Sequence, residues 1–404
     1  MENALGMTAT KLPKVSDKGH VIVVTAYPPQ PGGTCVLMQN LLRCFDPASF
    51  SVVTGDIKGP ISLSNQNVEI HHVLSSIDFS TRLHRKWWDI QLPWAVSKLV
   101  RLIKRKRPCA LVGVYPDYHF LYIACEAARK TKTPLVAYLH DTMVEALCDS
   151  PLLSKATLLQ ERTFKEASRI LVMSQGMADL YARKYSLDCM PLEHSYPEAI
   201  PTGLPETAPL RQAFWGGAIY AINTRAVGRV AKALEEIETP LLLATNTTAA
   251  NLEQDGISGS HIKIDFYSSR TDYLAALQKQ GILVLALDYP DESPVHEDEL
   301  STIFPTKTPE YLASGRPILV HCPEHYFLAR FIREKQCGLV VSERSVPALV
   351  EACKTLLDSP ETVQQMTRNA LEAAQLFSAE RVSSIFNAEV TRAAGVQWGE
   401  KLPL

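Results

Sequence analysis

Residues 302–320 read Thr-Ile-Phe-Pro-Thr-Lys-Thr-Pro-Glu-Tyr-Leu-Ala-Ser-Gly-Arg-Pro-Ile-Leu-Val, which spells a short helix followed by a buried strand. Thr306 stands where an N-cap belongs, and Pro309 falls in the first turn, where its missing N–H is not needed. Gly315 supplies a left-handed exit and Pro317 stops the helix. The helix is therefore expected over 307–314 and the strand over 317–321. A helix start presents free N–H groups and partial positive charge, so with Lys307 in its first turn this one suits a diphosphate. Glu310, one turn in, is placed to accept hydrogen bonds from ribose hydroxyls. The same residues also suit a helix that merely joins two strands of any α/β domain.

Working outward, a chain of 404 residues exceeds one ordinary core, and two lobes are expected. Basic and acidic residues number 41 and 43, so no global attraction for nucleic acid is indicated. The nine cysteines lack Cys-x-x-Cys spacing, which argues against a disulfide framework and a structural zinc site. The first 19 residues are mostly polar, against a secretory signal, and no later segment has 18 uninterrupted apolar residues. A soluble, cytoplasmic protein is expected, with at most peripheral contact at the inner face of a membrane.

The first lobe is expected over 20–197, after a flexible N-terminus at 1–19. Val-Ile-Val-Val, inside 20–27, is the β-branched run of a doubly buried parallel strand. It runs into a loop carrying Gly32 and Gly33, where a backbone without side chains can approach a ligand ahead of a helix. The loop is not Gly-x-Gly-x-x-Gly, which disfavours a dinucleotide site. Residues 82–108 mix tryptophans with many Lys and Arg: a helix packed on the sheet with a solvated basic face, or one that lies on anionic lipid. A strand over 110–115 leads to Asp117 and His119, a helix over 120–130 follows, and the strand 134–139 ends at His140 and Asp141. Open α/β sheets bind ligands at strand carboxyl ends, which makes His140 a site candidate and Asp117, His119 and Asp141 acceptor candidates. Ser174, after another strand, reads as a helix cap.

Five prolines between 191 and 209 mark a stiff hinge, set at 198–210. The second lobe, 211–378, repeats the alternation of strands and helices, and the pattern over 379–404 permits a helix that returns to the first lobe. Gly216 and Gly217 close the lobe's first strand, with Arg225 beyond them; Tyr267 follows a later strand. The acidic run 288–299 reads as a solvated loop ahead of a metal site, since it lacks Asp-x-Asp.

The segment 302–320 resembles the signature of glycosyltransferase family 4, retaining enzymes of the two-lobed GT-B fold. Phe304, Glu310, Tyr311-Leu312-Ala313, Gly315 and Pro317 keep the pattern, while Thr302 stands where the family has its first Glu. Glu299 is the nearest carboxylate that can substitute for it. The resemblance implies two Rossmann-like parallel-sheet lobes facing a central cleft and a sugar moved from a nucleotide diphosphate to an acceptor hydroxyl, without a metal or other cofactor. It implies that Gly32, Gly33, Gly217, Tyr267, Phe304, Thr306 and Glu310 meet the donor, and that His140 faces the transferred sugar. The family places an Arg and a Lys beyond the Gly217 turn; here only Arg225 is basic, so Lys307 is expected to share its role against the diphosphate. Alternatives are a nucleotide-sugar epimerase of the same fold and a non-catalytic binding protein with a degenerate site, suggested by Thr302.

Overall fold

The computed structural model describes residues 12–30, 35–55, 68–75, 81–147, 151–205 and 208–397, apart from the side chains of 81–85. Gly32 and Gly33 lie outside the described residues, as does most of the 1–19 arm. The elements of the first half are β1 (Val21–Val24), α1 (Cys35–Leu42), β2 (Phe50–Gly55), β3 (Glu69–Leu74), α2 (Thr81–Lys106), β4 (Ala110–Tyr115), α3 (Tyr118–Thr131), β5 (Leu135–Leu139), α4 (Leu153–Glu166), β6 (Arg169–Val172), α5 (Gln175–Tyr185) and β7 (Met190–Pro191). The second half continues with β8 (Leu210–Gly216), α6 (Thr224–Glu236), β9 (Leu241–Ala244), α7 (Ala249–Gln254), β10 (Ile262–Asp265), α8 (Arg270–Leu277), β11 (Gln280–Ala286), α9 (Glu297–Leu300), α10 (Thr308–Ala313), β12 (Ile318–His321), α11 (Phe327–Lys335), β13 (Leu339–Val341), α12 (Val346–Asp358), α13 (Pro360–Ala374) and α14 (Ala379–Ala394).

The strands form two sheets, ordered β3-β2-β1-β4-β5-β6-β7 and β10-β9-β8-β11-β12-β13. The pairs flanking β1 and β8 are parallel, and in each sheet the order reverses beside that strand, the doubly wound pattern. The period of two along the buried strands divides the core of the second sheet between its faces. Ala213, Trp215, Ile282 and Val284 pack on one face, and Phe214, Leu283, Leu285 and Val320 on the other.

The chain divides into two compact units, one made of Met1–His140, Leu158–Leu171 and Val382–Leu404, the other of Asp141–Thr157 and Val172–Arg381. Within the first, Phe386 of α14 packs near Phe45, and Arg169 donates to Glu389 at 2.5 Å with both side chains buried. Residues 12–19, expected as part of a flexible arm, are held: Val15 is fully buried, and the Asp17 amide donates to Thr391. An apolar residue whose amide meets Ser49 gives that short segment a fixed place. In the second unit the proline-rich segment is tied to its neighbours. The Tyr196 amide donates to the Phe377 carbonyl at 2.7 Å, and Glu198 is ion-paired with Arg270.

The basic stretch forms α2, whose buried face carries Ala95, Val96, Leu99, Leu102 and Ile103. Trp88 stacks edge-on against Phe120, whereas Ile90 and Trp94 are exposed. Among the described residues no helix is long and apolar enough to cross a membrane.

Candidate functional site

Ligands of doubly wound sheets bind outside the strand carboxyl ends where the order reverses. In the second unit that place is the end of β8, which closes at Gly216 and is followed by Gly217. Gly217 has φ +103°, a conformation that favours glycine. A side chain at 216 would run into the Tyr273 hydroxyl, so glycine there lets Tyr273 approach the strand end. The Gly216 amide donates to the Tyr311 hydroxyl at 2.8 Å, tying the turn to α10.

Lys307 occupies the N-cap position of α10 with no side-chain cap, so Thr306 is not the cap; it lies exposed in the preceding turn. Ser314 ends the helix and Gly315, at φ +66°, makes the left-handed exit. The Lys307 ammonium lies 3.3 Å from the centre of the Trp215 ring, and 3.8 Å from where a side chain on Gly217 would begin. Burial pushes its pKa down to about 7, partly offset by Glu310. The ammonium is thus held against an aromatic face beside the glycine turn, its charge balanced on a small change of surroundings.

Glu310, on the first turn of α10, accepts from Arg270 at 2.6 Å. Burial raises its pKa while Arg270 and the Tyr273 hydroxyl act against that. Tyr267 packs edge-on to Tyr273 at 6.3 Å, and Phe266 beside it is two-thirds exposed. Gly217, Lys307, Glu310, Tyr273 and Tyr267 therefore share one neighbourhood within the second unit.

Other candidates sit elsewhere. Phe304 is a core residue, stacked on Phe377 at 5.5 Å and close to Phe331, because an apolar ring in this turn is drawn into the packing of α11 and α13. Arg225 is exposed on the first turn of α6, and the helix-start amides of Arg225 and Ala226 donate to Asp288. In the first unit Asp117 caps α3 by accepting from His119 and Phe120 amides, and the buried His119 ring lies 3.1 Å from Asp89. His140 is buried beside Tyr138; burial lowers its pKa to about 3, so it is a neutral imidazole at ordinary pH. Asp141, in the second unit, is exposed.

The acidic run is bound up in internal contacts. Besides Asp288, Asp291 meets Arg344, Glu292 meets Arg229, Glu297 meets His325 and Asp298 meets Lys184. Glu299 is buried and accepts from the amide and hydroxyl of Thr142; burial and Asp141 raise its pKa well above the usual carboxylate range. Thr302 donates its hydroxyl to the Glu299 carbonyl, and Ser174 both caps α5 and donates to the Thr302 carbonyl.

Sequence reasoning missed Trp215, Tyr273, Arg270 and Glu198. Trp215 and Tyr273 read as ordinary strand and helix residues, and the Glu198–Arg270 pair joins positions 72 apart.

Residues 31–194 match the family model described as Glycosyltransferase Family 4. No curated protein matches the chain. Several solved structures do. Sucrose-phosphate synthase from Thermosynechococcus elongatus superposes with a TM-score of 0.68 at 13% identity, covering 93% of this chain and 98% of that one. Anabaena HepE, in complex with UDP and glucose, gives 0.66 at 13% over 92% and 98%. The UDP-forming α,α-trehalose-phosphate synthase from Burkholderia vietnamiensis gives 0.65 at 12% over 93% and 100%. The chain has the GT-B fold of glycosyltransferases. The family match ends before β8, so the Lys307–Glu310 neighbourhood of this GT-B protein is read from its own residues.

Proposed function

We propose that this GT-B protein transfers a sugar from a nucleotide diphosphate to an acceptor hydroxyl with retention of configuration. The observation that carries the reading is Lys307 beside the Gly217 turn at the reversal of the second sheet, with Glu310 next to it. The glycine turn admits a diphosphate, Lys307 offsets the charge that grows as it departs, and Glu310 accepts from the ribose. Tyr267, with the exposed Phe266 beside it, offers the base an aromatic surface. The UDP and glucose held by HepE make a uridine nucleotide the first donor to try. Arg225 is a second candidate for charge offset. His140, neutral, donates or accepts a hydrogen bond to a sugar hydroxyl, and the acceptor proton passes to the leaving phosphate in a same-face displacement. Asp141 is a further acceptor candidate. Because a lysine supplies the charge, the reaction needs no metal, and chelator should leave it unchanged.

The test is incubation of the purified protein with UDP-glucose and other nucleotide sugars. Transfer, or slow donor hydrolysis, supports the reading. Sugar isomerisation would make it an epimerase, binding without chemistry a degenerate relative, and full turnover by Lys307→Ala would overturn the role of Lys307. The exposed strip Ile90, Trp94, Lys98 and Arg101 on α2 supports peripheral contact with anionic lipid, checked by co-sedimentation of Trp94→Ala with anionic vesicles.

A further inference from the structure

Arg270 begins α8 and reaches two carboxylates at once. Its Nε and Nη2 donate to the two oxygens of Glu198 at 2.6 and 2.8 Å, and its Nη1 donates to Glu310 Oε1 at 2.6 Å. All three side chains are partly buried, Glu310 most deeply, at 18% exposure. A guanidinium gripped on one edge by a bidentate carboxylate has a fixed plane, and its remaining N–H then fixes whatever it touches. Glu198 lies just after Tyr196, whose amide is itself held by the Phe377 carbonyl. The clamp is therefore anchored in the backbone of the second unit.

Resting on the site reading above, we propose that Arg270 is a positioning residue for donor recognition, holding Glu310 oriented and ionised to accept the ribose hydroxyls. An ionised carboxylate has about four acceptor sites; Arg270 and the Tyr273 hydroxyl each use one, which leaves about two for a diol. The groups that face Glu310 are Arg270 and Tyr273 from α8, Lys307 and Tyr311 from α10, and Glu198 and Tyr196 from the preceding segment. Of these, Arg270 is the cation in direct contact. Burial alone favours the protonated acid, a form that would compete as a donor at one oxygen. Without Arg270 that form should prevail at higher pH, so the acid limb of donor binding should move upward by about 1–3 pH units.

The experiment compares binding of UDP and of 2′,3′-dideoxy-UDP to the wild type and to Arg270→Gln by calorimetry between pH 5.5 and 8. The wild type should prefer the ribose form. In the variant that preference should fall by about tenfold, in line with loss of one charge-assisted contact, and the acid limb should shift. Glu198→Gln, which loosens the clamp but leaves the guanidinium, should give a smaller change in the same direction. Should Arg270→Gln fail to fold, Arg270→Lys keeps the charge but loses the fork, and it should lose the preference with less movement of the acid limb. Unchanged preference and unchanged limb in a folded variant would overturn the role of Arg270. Absence of UDP binding by the wild type would instead overturn the site reading itself, so the two failures are told apart.

Discussion

Burial lowers the Lys307 pKa to about 7, so above that pH an arriving anion should draw a proton onto the amine, which gives Lys307 a measurable signature. Near pH 6 the ammonium is already charged and a nucleotide sugar meets it at full strength. Above pH 7 the free protein holds a neutral amine, and binding must first recharge it. If the bound diphosphate restores the pKa toward the ordinary lysine range, the dissociation constant rises by about tenfold per pH unit above 7. Between pH 6 and 8.5 the loss is about thirtyfold, or roughly 2 kcal/mol. UDP-glucose is the suitable probe, since its diphosphate stays singly ionised at each phosphorus across this range. Calorimetry in buffers of different ionisation enthalpy should show net proton uptake approaching one per site at pH 8 and vanishing at pH 6. Lys307→Met, which can cover Trp215 without charge, should bind weakly, show no uptake and lose the slope. A wild-type affinity that is flat from pH 6 to 8.5, or a Met variant with the same slope, would refute the reasoning.

Three further outcomes follow from the geometry. Glu299 is held protonated by burial, so the folded state binds more protons than the unfolded chain above the ordinary carboxylate range, and this group lowers stability as pH rises. Glu299→Gln should therefore gain on the wild type in urea midpoint between pH 5.5 and 8.5; a growing deficit instead would contradict that sign. Arg169→Met removes the buried 2.5 Å partner of Glu389 but leaves Arg392 on the other carboxylate oxygen, so it should cost about 1.5–3 kcal/mol by denaturant unfolding, whereas Arg169→Met with Glu389→Leu should recover part of it. Gly216→Ala would push the Tyr273 hydroxyl away from the strand end, so UDP affinity should fall while the thermal midpoint moves by only a few degrees, within the range of about 1 kcal/mol in a domain of this size.

The alternation of apolar strands and helices was legible because it is local. Val-Ile-Val-Val has to be buried on both sides, and Gly315 followed by Pro317 has to end a helix, wherever in space they fall. For the same reason α10, β12 and the glycine turn after β8 were found at their places, and Lys307 and Glu310 with them. Strands β2 and β3 were missed: β3 reads Glu-Ile-His-His-Val-Leu, a half-exposed strand whose pattern is faint until a neighbour pairs with it.

Thr306 failed as a cap because the Thr308 amide turns back to the Pro305 carbonyl, and Phe304 joined the core because three other phenylalanines converge on it. Neither event leaves a local trace. The sequence by itself determined that the chain folds as two parallel α/β sheets and which short helix carries the glutamate with the lysine at its start, since periodicity and turn chemistry act over a few residues. Only the tertiary structure decided that the lysine lies on Trp215 and that the glutamate is gripped by Arg270. Burial, and the charges gathered by burial, come from residues far apart in the chain, and they alone set which groups are ionised.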